Sequence, residues 1–409
     1  MSTIPGPFAT RPAARERIIS LDQFRGYTVA GMLLVNFLGS FAVCPQILEH
    51  SHDYCSYADT IMPQFLFAVG FAFRLTFGRR VQRDGTAAAY ARMTRRLLGL
   101  VLVSLVIYTV SPPASTWEGL VKLGPEGILP DLLKRNWFQT LMHIAVTSLW
   151  ILPVIRASVP VRVAWMVGSA IAHVALSAWF NYEWVNTSPN GIDGGPLAFL
   201  TWTIPAMLGT LTCDAIAGSS GNPPLRKLIG WSIALMLLGY LFSCGTRFYD
   251  VPSGKISALQ GQKLASDPVI PSRDRVNAQL KKADWRAWLA EPPFVPPPGQ
   301  DERKWNYWMM SQRGGTLSYV TFCGGFSILI YVLFYVLCDM GRFQSAFLRT
   351  FGMNALAAYV LHEMVGAAVK PFIPEDSPGW YVTLGLLIFF GVTWLFVRSL
   401  EKQNVYLRL

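Results

Sequence analysis

Five ionisable side chains crowd into the polar link between the first two apolar runs of the chain: Glu49, His50, His52, Asp53 and Asp59. That link holds two of the protein's five histidines. A neutral imidazole takes a proton from an amine or hydroxyl near pH 7 when a carboxylate orients its other nitrogen. Asp53, Asp59 and the distant Glu363 are candidates for that carboxylate. The spacing His50-x-His52-Asp53 would also suit a metal ion completed by His362 or Glu363. Short His-x-His pairs are common, so general-base chemistry is the better expectation and no metal is expected. A plainer reading stands beside both, in which the acids and histidines sit in headgroup water as a wet loop.

Other chemistries lack their signatures. The chain has no Gly-x-Ser-x-Gly elbow, no His-Glu-x-x-His, no phosphate loop and no Gly-x-Gly-x-x-Gly fingerprint.

The elements that position the link are apolar. With 52% hydrophobic and 14% charged residues over 409 positions, the composition is that of an all-α, polytopic integral membrane protein rather than a soluble enzyme. Runs of about 20 apolar residues predict ten spanning helices, near 21–43, 60–78, 95–111, 137–155, 161–180, 196–216, 227–244, 316–338, 346–366 and 380–398. The first run is followed by Cys44-Pro45 rather than a small-residue cleavage site, so it is expected to stay in the mature protein.

Lysine and arginine in short connections mark the cytoplasmic side. Arg11, Arg15 and Arg17 precede the first run; Arg79, Arg80, Arg83, Arg92, Arg95 and Arg96 follow the second; Arg156, Arg162, Arg226, Lys227, Arg342, Lys402 and Arg408 mark later even connections. The 44–58 and 181–195 links hold no lysine or arginine. Both termini are therefore expected in the cytoplasm and the His50 link on the opposite face. The net charge of +11 reads as this topology rather than as affinity for nucleic acid, although the Arg79–Arg96 cluster would suit a phosphorylated ligand.

Cys44 and Cys55 bracket the polar link on a face where an oxidising compartment would let them pair. The segment 245–315, rich in proline, lysine and aspartate, is expected as an extracytoplasmic insertion after helix seven, within one transmembrane domain covering 1–409. On this topology His143 lies about two turns from the outer face, and His362 with Glu363 lies near the outer end of the ninth helix. Separate segments thus converge on the outer zone. Asn36 is an amide in the outer half of an apolar helix, where it must find a partner.

These residues resemble the heparan-alpha-glucosaminide N-acetyltransferase-like group of the transmembrane acyltransferase superfamily. The resemblance rests on Ser20-Leu21-Asp22 with Phe24-Arg25-Gly26, on Val35-Asn36, and on the His50 link running to Ala58-Asp59 and Pro63-x-Phe65-x-Phe67-x-x-Gly70. Gly352-Met353-Asn354 leading to Tyr359 and His362-Glu363 extends it, with weaker matches at Phe138-Gln139, Ile204-Pro205-Ala206 and Thr316-Leu317-Ser318-Tyr319.

The resemblance implies an enzyme of the cell membrane that takes acetyl from cytosolic acetyl-CoA and delivers it to an amine or hydroxyl of a sugar on the far side. It maps reacting roles onto Asn36 and His50, with Asp59, His52 and His362 beside them. CoA phosphates would meet Arg25, Arg79, Arg80, Arg95 and Arg96, while Asp53, Gln139, His143, Asn354, Tyr359 and Glu363 would form an acceptor pocket. Arg25 to Asn36 spans about 16 Å of helix rise, roughly half the hydrocarbon core. Direct transfer and a covalent acetyl-histidine both remain open, as does the choice between His50 and His52, because the link here reads His-Ser-His-Asp. Thr140 stands where the family tends to have arginine after the glutamine.

A transporter or flippase for an amphipathic or anionic solute is the alternative, with the outer histidines relaying protons. A lipid bilayer and a glycan are the expected partners, and a homo-oligomer is compatible with the sequence.

Overall fold

The computed structural model describes residues 18–108, 110, 112–218, 223–251, 263–299 and 301–407. Arg11, Arg15, Arg17 and Arg408, used in the charge argument, lie outside the described residues. Apart from two isolated bridges, Asp250 with Arg303 and Leu264 with Trp305, the regular structure among the described residues is helical.

The helices are α1 (Ile19–Leu38), α2 (Ile61–Asp84), α3 (Thr86–Ile107), α4 (Trp117–Asp131), α5 (Thr140–Ile151), α6 (Val159–Leu176) and α7 (Tyr182–Asn186). They continue with α8 (Phe199–Ala217), α9 (Leu225–Ser243), α10 (Arg273–Leu280), α11 (Leu317–Phe334), α12 (Ala346–Met353), α13 (Ala355–Val369) and α14 (Gly379–Lys402). A helix stands at each of the ten predicted positions, but six are long and apolar enough on their own to cross a bilayer, or seven if the pair Trp117–Asn136 and Thr140–Val154, bent by 85°, is one span. The expected continuous helix over 346–366 is broken at Asn354, whose φ of −129° and ψ of 47° separate α12 from α13.

Burial sorts the helices by place. The apolar window of α8 is 78% buried and forms the centre, whereas those of α6 and α9 are 22% buried. Their outward side chains, such as Ile171 and Leu241, present the apolar surface that lipid requires.

Lipid tails are as apolar as leucine, so helices in a bilayer are held by close backbone approach rather than by hydrophobic burial. Glycines supply that approach at three crossings. A Cβ on Gly26 of α1 would stand 1.8 Å from the Leu348 carbonyl oxygen of α12, and one on Gly352 would stand 1.9 Å from that of Asp22. Gly70 of α2 and Gly209 of α8 meet Ala206 and Phe67 in the same reciprocal way, and Gly239 with Gly325 joins α9 to α11. Near one end of the bundle, Asp214 of α8 binds Arg74 of α2 at 2.7 Å and Arg162 of α6, tying three helices through one carboxylate.

The described part of 245–315 folds onto the opposite end. Arg303 bridges Asp250 at 2.7 Å and Glu291 at 2.6 Å, and the backbone amide of Phe294 donates to the Cys55 carbonyl at 2.9 Å. The segment is thereby fastened to the His50 link. Cys44 and Cys55 do not pair: all six cysteines are free, and the Cys55 Sγ lies 3.5 Å from Cys323 of α11 instead.

Candidate active site

After α1 the chain makes two short 3-10 turns, and the second, Ala58–Thr60, feeds directly into α2. This places Asp59 at a helix start, where free amides and the helix dipole favour a carboxylate. Asp59 is fully buried. Its Oδ1 accepts from His50 Nδ1 at 3.0 Å, and its Oδ2 accepts from the Ser56 amide at 2.9 Å, the Ser56 hydroxyl at 3.0 Å and the Ser51 amide at 3.3 Å. Tyr319 of α11 anchors the same residue by donating to its backbone oxygen at 2.6 Å.

A carboxylate that already accepts three other hydrogen bonds acts as the acceptor of the pair, which puts the proton on His50 Nδ1 and leaves Nε2 as the basic nitrogen of the neutral ring. Burial works against the imidazolium, but the hydrogen bond and charge of Asp59, then Asp193 and Gln312, outweigh it and hold His50 above its ordinary range. His52 goes the other way. Burial, then the positive charges of Arg313, His50 and Arg135, push it down to about 4.

His50, His52, Asn36, Gln139, Tyr359 and Glu363 line one cavity of about 350 Å³. Asn36 projects from the last turn of α1 with its Nδ2 3.5 Å from His362 Nε2. Glu363 Oε1 lies 3.3 Å from the same nitrogen, and His362 Nδ1 donates to the Tyr359 carbonyl. The His362 ring is therefore a buried support behind Asn36 rather than part of the cavity wall.

The cavity also contains Arg135, Asp193, Gln312 and Arg313, which sequence reasoning did not select. Asp193 takes a φ of 53°, and Gly194 and Gly195 follow at 83° and 64°. Three successive left-handed residues turn the chain sharply, and the available signal was the Asp-Gly-Gly run itself. Gly194 donates to the Arg313 carbonyl at 3.0 Å, and Gln312 Nε2 donates to Asp193 Oδ1 at 2.7 Å, stitching the 191–195 and 311–315 loops together. Burial, only partly opposed by Gln312 and His50, pushes the Asp193 carboxyl up to about 6.

A second cavity of about 500 Å³ contains Asp22 and Arg25 of α1, Arg96 of α3, and Met353 and Leu356 beside the α12–α13 break. Phe65, Thr140 and Tyr359 line both cavities. Tyr359 is held in place by Tyr108, the two hydroxyls lying 2.7 Å apart, and Tyr108 in turn accepts from the Leu141 amide at 2.9 Å. The two chambers thus adjoin, with these three side chains in the wall between them.

The remaining candidates lie elsewhere. His143 is fully buried among Phe138 and Trp202, with Nε2 3.1 Å from the Phe138 carbonyl. Asn354 is spent on the C-terminal tail, donating to the Val405 carbonyl and accepting from the Leu407 amide. Asp53 accepts from the Ser51 hydroxyl. Arg79 lines a separate cavity of about 960 Å³ with Arg342 and Arg349, and Arg80 and Arg95 line none of the three. Among the described residues no group of three or more His, Cys, Asp or Glu side chains is arranged to hold a metal.

Residues 17–196 match the sequence model of the family described as heparan-alpha-glucosaminide N-acetyltransferase, catalytic. The match contains α1 to α7, the His50–Asp59 pair and Asp193, and it supports the resemblance carried by the motifs. It ends before the 311–315 loop and α13. A search among curated proteins finds no match to the chain.

Proposed function

From the catalytic-family match over residues 17–196, we propose that this membrane protein is an acetyltransferase that moves acetyl from cytosolic acetyl-CoA to a glycan amine or hydroxyl on the far side of the bilayer. The observation that carries the reading is the shared wall. A cavity with arginines Arg25 and Arg96 adjoins, at Phe65, Thr140 and Tyr359, a cavity holding Asn36 and His50. Phosphates suit the guanidinium end, and in this reading a thin pantetheine arm passes between the three shared side chains. The charge pattern of the connections supports placing the arginine end in the cytoplasm, with both termini.

In the proposed reaction His50 Nε2 removes a proton from the acceptor amine or hydroxyl while Asp59 holds the ring through Nδ1. The acceptor attacks the thioester carbonyl, and Asn36 donates its amide hydrogen bond to the oxygen that becomes negative. The carbon–sulfur bond breaks, the new carbon–nitrogen or carbon–oxygen bond remains on the acceptor, and the proton on His50 passes to the departing sulfur. His362 and Glu363 keep Asn36 aimed. His50 is preferred over His52 because it alone has a buried carboxylate partner and is raised rather than lowered in basicity.

The test uses purified full-length protein with labelled acetyl-CoA. Binding should be saturable, and transfer to an aminosugar or hydrolysis should collapse in His50→Ala and Asn36→Ala while surviving in His52→Ala. Absence of acetyl-CoA binding, or full activity in the first two variants, overturns the reading.

A further inference from the structure

After α14 the chain turns back onto the bundle. Asn404 takes a left-handed φ of 57°, its amide donates to the Glu401 carbonyl at 3.0 Å, and the Val405 amide donates to the Leu400 carbonyl at 2.9 Å. These two bonds form a Schellman end, whose left-handed position tolerates asparagine, and they turn the following residues off the helix axis. The last turn of α14 is itself fixed to α12 by Glu401, which accepts from the Thr350 hydroxyl at 2.8 Å.

One buried side chain catches the residues that follow. Asn354 stands at the break between α12 and α13, where its own carbonyl accepts from the Ala358 amide to begin α13. Its side-chain amide offers the donor and acceptor of a peptide group: Nδ2 donates to the Val405 carbonyl at 3.0 Å, and Oδ1 accepts from the Leu407 amide at 3.1 Å. The pairing fixes both the path and the depth of residues 405–407. That path delivers Leu407 to the wall of the arginine-bearing cavity, beside Met353 and Leu356 from the two sides of the same break, and with Arg25 and Arg96. Leu407 is 48% exposed. An apolar side chain left half uncovered, yet held in place on a cavity wall, has contact area to give to a ligand without first being ordered.

We propose that residues 403–407 are a strap of the donor cavity, in which Leu407 contacts the aliphatic pantetheine arm of acyl-CoA and Asn354 is the positioning residue that sets the strap. This rests on the acyltransfer reading, which supplies the donor. The strap acts on donor retention and not on the chemical step, because none of its residues lines the cavity that holds His50. Donor retention is thereby assigned to a segment beyond the 17–196 match and remote in sequence from the reacting residues.

The test measures acetyl-CoA binding to the purified protein by calorimetry, and acetyl-CoA turnover by transfer to an aminosugar or by hydrolysis. Leu407→Ala and Asn354→Ala should each raise Kd and the donor KM about tenfold, through faster dissociation, and leave kcat at saturating acetyl-CoA as it was. Leu407→Met should restore the affinity. Asn354→Asp, which keeps the acceptor for the Leu407 amide, should show a smaller rise than Asn354→Ala. Leu407→Ala trims only a half-exposed side chain, so it decides the matter if Asn354→Ala fails to fold. An unchanged Kd in Leu407→Ala, tighter binding, or a fall in kcat with KM unchanged overturns the strap. Failure of the unsubstituted protein to bind acetyl-CoA removes the acyltransfer reading and the strap together, whereas sound binding with indifferent variants removes the strap alone.

Discussion

His50 donates through Nδ1 to a carboxylate, Asp59, that has no solvent exposure and three further donors from Ser51 and Ser56. The pair is nine residues apart in sequence, so a single short loop builds both the proposed base and its orienting acid. The rest of the cavity is brought by helices and by the 191–195 and 311–315 loops.

Replacing the base should cost the most. His50→Ala is expected to reduce transfer by about 10²- to 10⁴-fold, the usual contribution of a positioned general base, with little change in acetyl-CoA affinity. Single-turnover transfer kinetics separate the two quantities.

The pH dependence follows from the same pair. His50 acts as a base only when neutral, and its protonation range is raised, so the rate should climb as pH rises through that raised value and then level off. The protonated pair stabilises the fold fully below the ordinary 6.5 and ceases to do so as pH rises through the raised value. In Asp59→Asn burial is left to dominate the ring. The rate limb should move to lower pH and the plateau should drop. A pH–rate profile whose limb stays in place in Asp59→Asn would remove Asp59 from its orienting role.

Asp193 predicts a stability slope of the same sign at lower pH. Its carboxyl is raised from the ordinary 3.8 to about 6, so between those values the folded protein holds a proton that the unfolded chain has released. Stability should therefore fall as pH rises from 4 to 6, and Asp193→Asn should flatten the fall. Thermal unfolding in detergent across that range measures it.

The proposed passage between the two cavities can be plugged. Thr140 lines both cavities, and Thr140→Trp should abolish transfer while acetyl-CoA still stabilises the protein thermally, since the arginine end is untouched. Transfer at the original rate would mean that the acyl group reaches His50 by another route.

Helix crossings give a stability prediction independent of function. Gly70→Ala and Gly352→Ala would each drive a methyl to 1.9 Å from a backbone oxygen, costing about 1–3 kcal/mol or preventing folding. Gly78→Ala, with nothing within 4 Å, should be neutral. Yield and melting temperature of the three variants decide it.

The positions of the helices were legible because apolar length dominates the signal for a membrane chain: a helix stands at each of the ten runs, though only six or seven spans are long and apolar enough to cross a bilayer. The break at Asn354 was hidden because an asparagine in an apolar run reads equally as a packing amide, and its partners, Val405 and Leu407, lie some 50 residues away. In the cavity, His50, Asn36 and Glu363 were selected by residue type and depth, and Gln139 and Tyr359 through the family resemblance. His143 had the same depth but faces Trp202, a matter of helix rotation that burial patterns in an apolar span do not encode. Asp193, Gln312 and Arg313 lie in loops whose meeting depends on two distant turns, so beyond the Asp-Gly-Gly run no local pattern announced them.

The His50 cavity draws on Asn36 near one end of the chain and on Gln312 and Tyr359 near the other, joined by the backbone clasp between Gly194 and Arg313. Synthesis proceeds from the first of these to the last. A nascent chain therefore carries its histidine and its carboxylate long before it has a chamber around them, and the His50–Asp59 pair stands in an unwalled setting until α11 and α13 are in place. A protein truncated before the clasp would possess the pair and lack its enclosure, so under the proposed function the final third of the polypeptide governs what the first third is permitted to modify.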